Sequence, residues 1–124
     1  MGVALKIFYA ILISSLLGKG MGGCSIHSLK LTQSMTGVMI GRKFEYVVVV
    51  TNECNCEQGN INVNCKGFHT AKSIDPFLFK HDGADSTKCV LINGYPLGNH
   101  QSAYFKYVWD RPYPFTVVDG KMTC

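Results

Sequence analysis

Six cysteines, Cys24, Cys54, Cys56, Cys65, Cys89 and Cys124, are the side chains with the widest chemical reach in this sequence. As thiolates they could hold a soft metal or act as nucleophiles; oxidised, they form bridges. Cys54, Cys56 and Cys65 can be written with His69 as a four-ligand zinc set, but that choice strands three cysteines, an odd number. An even count in a small secreted domain reads instead as three disulfides, each contributing about 2–4 kcal/mol, mainly by restricting the unfolded chain. Only Asn55 separates Cys54 from Cys56. In extended backbone their alpha carbons lie near the upper limit for bridging each other, so each is expected to take a different partner. Six cysteines allow fifteen pairings, and setting aside the three that join this pair leaves twelve open.

The other reactive side chains assemble no comparable pattern. His27, His69, His81 and His100 fall in different segments, and none belongs to a metal or nucleophile motif. Asp82 and Asp85 stand three apart in a glycine-containing loop, too few oxygen ligands for calcium. No catalytic residue, metal site or cofactor is expected, and the chain is not expected to be an enzyme. Tyr104, Tyr113 and Trp109 belong to an aromatic-rich stretch that also holds Phe105, Tyr107 and Phe115. Alternation assigns half of that stretch to a core; the remainder could stack on sugar rings. There is no Asn-x-Ser/Thr sequon, and a bridged Cys54 disfavours glycosylation at the rare variant Asn52-Glu53-Cys54.

These residues need elements to hold them. Lys6 precedes an apolar run of eleven residues, Ile7 to Leu17, which suits a signal-peptide core and falls short of the roughly 18 to 20 that span a bilayer. Small residues follow, so residues 1–22 read as a signal peptide cleaved between 18 and 23, and 23–124 as a single cysteine-rich β domain. Within it, His27 to Gln33, Phe44 to Thr51, Asn60 to Lys66, Gln101 to Trp109 and Phe115 to Asp119 alternate with the period of strands. Phe44 to Thr51 is apolar on both sides at its centre, as in a central strand. Asn60, Asn62 and Asn64 are expected to face outward. Gly37 with Gly41, Gln58-Gly59-Asn60, Asn93-Gly94 and Pro96-Leu97-Gly98 read as turns. Asp75 as N-cap and Pro76 at the first position suit a short helix over Asp75–Phe79. The expected fold is all-β, a small disulfide-braced β-sandwich.

Length and charge exclude several classes. The chain has 124 residues, enough for one domain, and at 47% hydrophobic it is too apolar for a disordered one. Removing Lys6 and Lys19 with the leader takes twelve basic residues to ten against eight acidic ones, a formal net of +2. Only Arg42 and Lys43 are adjacent, so there is no nucleic-acid stripe. Nor is there a cationic amphipathic segment for disrupting membranes, and no stable insertion of the mature chain is expected.

One set of landmarks is more specific. Thr51-Asn52-Glu53-Cys54-Asn55-Cys56 is followed by Val63-Asn64-Cys65-Lys66-Gly67-Phe68, Ile74-Asp75-Pro76 and Cys89-Val90-Leu91-Ile92-Asn93-Gly94-Tyr95-Pro96-Leu97. Phe105-Lys106-Tyr107-Val108-Trp109-Asp110, Pro114-Phe115 and Cys124 complete it. This succession, spanning Cys24 to Cys124, resembles the plant tapetum-determinant family of small secreted cysteine-rich proteins. Cys24 follows the leader almost at once, whereas the founding members carry a longer segment there; the chain therefore resembles a paralogue of the broader family. The resemblance implies six structural cysteines and an apoplastic protein ligand for the ectodomain of a leucine-rich-repeat receptor kinase, of the kind that specifies cell differentiation in anther development. Loops at one end of the sandwich are the expected contact, Lys80 to Lys88 or Asn93 to His100, with Lys80, Lys88, Asn93 and Tyr95 as candidate residues. The alternative is a non-catalytic cell-wall carbohydrate-binding module using Tyr104, Tyr113 or Trp109.

Overall fold

Alternation of apolar and polar residues along seven strands builds two antiparallel sheets in the computed structural model, which describes residues 24–124. The expected leader and its cleavage point lie outside the described residues. The first sheet has the order β1-β2-β6, from β1 (Leu29–Ile40), β2 (Lys43–Asn52) and β6 (Ser102–Trp109). The second has the order β4-β5-β3-β7, from β3 (Glu57–Asn64), β4 (Phe79–His81), β5 (Lys88–Leu91) and β7 (Val117–Thr123). β2 is the central strand of its sheet, as its two-sided apolar centre predicts.

The core forms where inner faces meet. Tyr46, Val48 and Val50 of β2 and Ala103, Phe105 and Tyr107 of β6 pack toward Ile61, Val63, Cys89 and Leu91 of the opposite sheet. Phe68, a loop residue, sits within 5.1–5.5 Å, centroid to centroid, of the rings of Phe79, Tyr107, Tyr113 and Phe115 and plugs one end of the sandwich. The Tyr107 hydroxyl donates to Gln33 Oε1 and accepts from the Tyr113 amide at 2.8 Å, which ties the edge strand β1 to the chain entering β7.

The structure resolves the open pairings: Cys24–Cys54, Cys56–Cys124 and Cys65–Cys89. Cys54 and Cys56 do take different partners. The zinc set is thereby dispersed among three bridges, and His69 stacks on Trp109 instead.

Several elements differ from expectation, each for a local reason. Asp75 does cap, its Oδ1 accepting from the Phe77 amide at 2.9 Å, but the expected helix over Asp75–Phe79 is a single turn closed by Leu78 and Phe79 amides on the Asp75 carbonyl. Phe79 then leaves to pair with Leu91 in β4. Gln58-Gly59-Asn60 lies inside β3, its turn chemistry used for a register shift with Asn60 at φ +48°. Gly37 likewise lies inside β1, at φ +92° in a second register shift, and the real turn is Gly41-Arg42. Asn62, between the core residues Ile61 and Val63, is buried rather than solvent-exposed, and its Oδ1 has no hydrogen-bond partner among the described residues. β4 and β5 occupy ground read as loop.

Candidate partner-binding surfaces

The expected contact residues fall into two groups at opposite ends of β5, which corrects the expectation of loops at one end. Lys80 lies in β4 opposite Val90, and Lys88 opens β5. Both therefore sit on strands flanking the 82–87 turn rather than in a loop. That turn is stiffened by Asp82, which accepts from the Ala84 amide at 2.8 Å, and by Asp85, which accepts from the Thr87 hydroxyl at 2.6 Å and amide at 2.9 Å. The Thr87 bonds hold the Asp85 carboxyl below its usual range. Lys88 reaches across β3 to Asp119 at 3.5 Å, while Lys80 is exposed.

Asn93 and Tyr95 follow the other end of β5. Ile92 and Asn93 adopt left-handed backbone, with φ of +41° and +56°. The Tyr95 amide closes the turn on the Ile92 carbonyl at 3.0 Å. Gly94 is required by contact as well as by its φ of +82°, because a Cβ there would meet Asn60 Oδ1 at 2.9 Å. Tyr95 is exposed and packs edge-on against exposed Phe77, 5.6 Å between centroids.

The sugar-stacking candidates do not share a face. Trp109 and Tyr113 line a hollow of about 200 Å³ with Gly67, Phe68 and Arg111. Tyr104 alternates to the outer face of its strand and borders a separate hollow with Ile74 and Leu78. The Trp109 ring is already engaged, by His69 at 5.5 Å and by the Lys43 ammonium at 4.9 Å.

A third surface was not expected. Along the inner face of the first sheet, paired residues form two rows, Met35–Tyr46–Tyr107 and Met39–Phe44–Trp109. Tyr46 is 5% exposed and Tyr107 1%, but Phe44 is 36%, Met39 56% and Met35 61% exposed. Burial therefore falls off from β6 toward the edge strand β1 and from the first row to the second, and β1 with β2 carries an apolar ledge at that corner. Val38 and Ile40 are exposed as well, but flanking Met39 in the strand they alternate to the outer face of the same sheet end. Thr36 fixes the bulge by donating to buried Glu45 at 2.7 Å. Lys43 pairs with Asp110 at 3.1 Å, and exposed Arg42 and Arg111 flank the ledge. The signal in the sequence was Met39 between Val38 and Ile40 and close to Arg42, hidden by ending the strand at Gln33 and reading Gly37 with Gly41 as turn.

Fold and bridges define a class, a small cysteine-rich all-β domain held by three disulfides with aromatic and apolar surface gathered at its ends. Within that class the chain belongs to the tapetum determinant family: a family model described as Tapetum determinant 1, C-terminal, matches residues 25–124. The chain is similar to TPD1 protein homolog 1 of Arabidopsis thaliana, 30% identical over 97 residues that make up 77% of this chain and 53% of that protein. It thus spans about half the length of this curated relative. No solved structure matches it. Membership supports a plant cysteine-rich protein of the signalling type.

Proposed function

We propose that this chain is a secreted protein ligand, bound in the apoplast by the ectodomain of a leucine-rich-repeat receptor kinase and acting in cell-fate signalling during reproductive development. The observation that carries this reading is the family match across residues 25–124, nearly the whole described domain. Pairing of all six cysteines fits an oxidising compartment, and the leader-like residues 1–22 fit export to it. Action by binding rather than catalysis fits the side chains available: His69 is stacked on Trp109, and His81 lies against the Cys65–Cys89 bridge at 3.6 Å from Cys89 Sγ. The cell-wall reading has less behind it, since Tyr104 and Trp109 face opposite ways. The test is binding of the oxidised chain from Cys24 onward to a panel of plant leucine-rich-repeat receptor ectodomains, beside a reduced and alkylated control. Saturable binding by the oxidised form alone is expected; a folded chain that binds none of a broad panel would refute the reading.

A further inference from the structure

We propose that the apolar ledge at the β1–β2 end is the docking surface, and that its occupant is a protein presenting an apolar pocket rimmed by carboxylates. The inference deepens the ligand reading and rests on it, the occupant being the receptor ectodomain.

The choice of occupant follows from charge and backbone. Between Ile26 and Phe44 the sequence holds Lys30, Arg42 and Lys43 and no carboxylate. Glu45, the first acid after that stretch, is buried with Thr36 and presents nothing outward. Lys43 is matched internally by Asp110, whereas Arg42 and Arg111 are exposed and in no ion pair among the described residues. The ledge therefore offers Met35, Met39 and Phe44 as anchors with unmatched positive charge beside them, and its complement is apolar at the centre and acidic at the rim.

A second copy fits less well. β1 is an open sheet edge, but the register shift between Met35 and Met39 interrupts the ladder that edge-to-edge pairing needs, and two such edges would bring cations together. A lipid surface also fits less well. Stable anchoring by charge takes a cluster of about 4–8 basic residues, and here Asp110 stands among the few present.

The experiment extends the ectodomain binding assay to variants of the oxidised chain. With a receptor ectodomain that binds wild type, Met39→Glu and Phe44→Glu are expected to weaken binding by about 30-fold or more, as removal of a central anchor does. Arg42→Glu is expected to weaken it about tenfold at low salt and less at high salt. Lys80→Glu with Lys88→Glu should bind like wild type. Intact mass and circular dichroism establish that each variant is bridged and folded. Ledge variants that bind like wild type would overturn the docking assignment and leave the ligand reading standing. Wild type binding no ectodomain would overturn both. Retention on phosphatidylserine vesicles that Met39→Glu abolishes, or a dimer in sedimentation that it dissociates, would reassign the ledge to lipid or to a second copy.

Discussion

The two ends of the first sheet share a strand pattern and differ in what covers them. Where β1 begins and β2 finishes, the chain is crossed by Cys24–Cys54 and Cys56–Cys124. Beneath these bridges Asn52, 0% exposed, donates to the Cys56 and Leu97 carbonyls at 2.9 and 2.8 Å and accepts from the Cys54 amide and Gln58 at 3.0 and 3.3 Å. At the far end, roughly 35 Å along the twelve-residue β1, the same inner face is less buried and exposes Met35, Met39 and Phe44. Two of the three bridges are gathered at one end, and apolar surface is left exposed at the other. A strand's alternation sets which side a residue faces; what packs against that side sets whether it is dry.

The contrast can be broken at its strong end first. Replacing Cys56 and Cys124 by alanine opens the longest loop, 68 residues in sequence, and should cost about 4 kcal/mol of stability by the loop-entropy relation. Denaturant unfolding of the secreted double variant measures it, and a loss below about 1 kcal/mol would show that the bridges do not carry this end. Asn52→Ala comes next. It removes a donor from the Cys56 and Leu97 carbonyls, the second of which keeps the Gln58 amide, and an acceptor from the Cys54 amide and the Gln58 side chain, and should cost about 2–3 kcal/mol in the same assay.

Between the ends stands Tyr107. Tyr107→Phe removes the hydroxyl that joins Gln33 to the Tyr113 amide and should cost about 1–2 kcal/mol. Burial raises the Tyr107 hydroxyl pKa above the ordinary tyrosine value, with the Tyr113 amide opposing, and burial raises Tyr113 too. The folded state thus favours the protonated phenols. Stability should be unaffected by these groups below about pH 10, where unfolded tyrosine titrates, and should fall as pH rises beyond it. Thermal melts between pH 8 and 11 should show a shallower alkaline fall in Tyr107→Phe, with the share of Tyr113 remaining. An unchanged slope would remove Tyr107 from this account.

The smallest effect belongs to the ledge. Met39→Glu should change stability by no more than about 0.5 kcal/mol, as for surface substitutions away from structural features. A loss of 2 kcal/mol would mean that Met39 belongs to the core and would erase the contrast between the ends.

Much of this was legible in the sequence because β2, β3 and β6 are long enough, at eight to ten residues, for alternation to repeat. The six-cysteine framework was legible from count alone, and its pairing was not, because connectivity depends on which loops meet. β4 and β5 escaped notice because three and four residues cannot establish a period. Gly37 and Gln58-Gly59-Asn60 misled for a shared reason: residues that tolerate left-handed backbone serve bulges inside strands as readily as turns between them. That reading of Gly37, after a strand ended at Gln33, concealed the ledge. Lys80 and Lys88 were read as loop cations, but their places on β4 and β5, and their separation from Asn93 and Tyr95, followed from strands too short to see.

The bridge pattern has a mechanical consequence. Cys24 connects to Cys54 and Cys124 to Cys56, and only Asn55 lies between those two anchor points. The covalent graph is two ring systems joined at a three-residue hinge, the second of them subdivided by Cys65–Cys89. Tension applied between Cys24 and Cys124 runs through Cys54-Asn55-Cys56 and bypasses every strand, so while the bridges last the sheets bear none of the load.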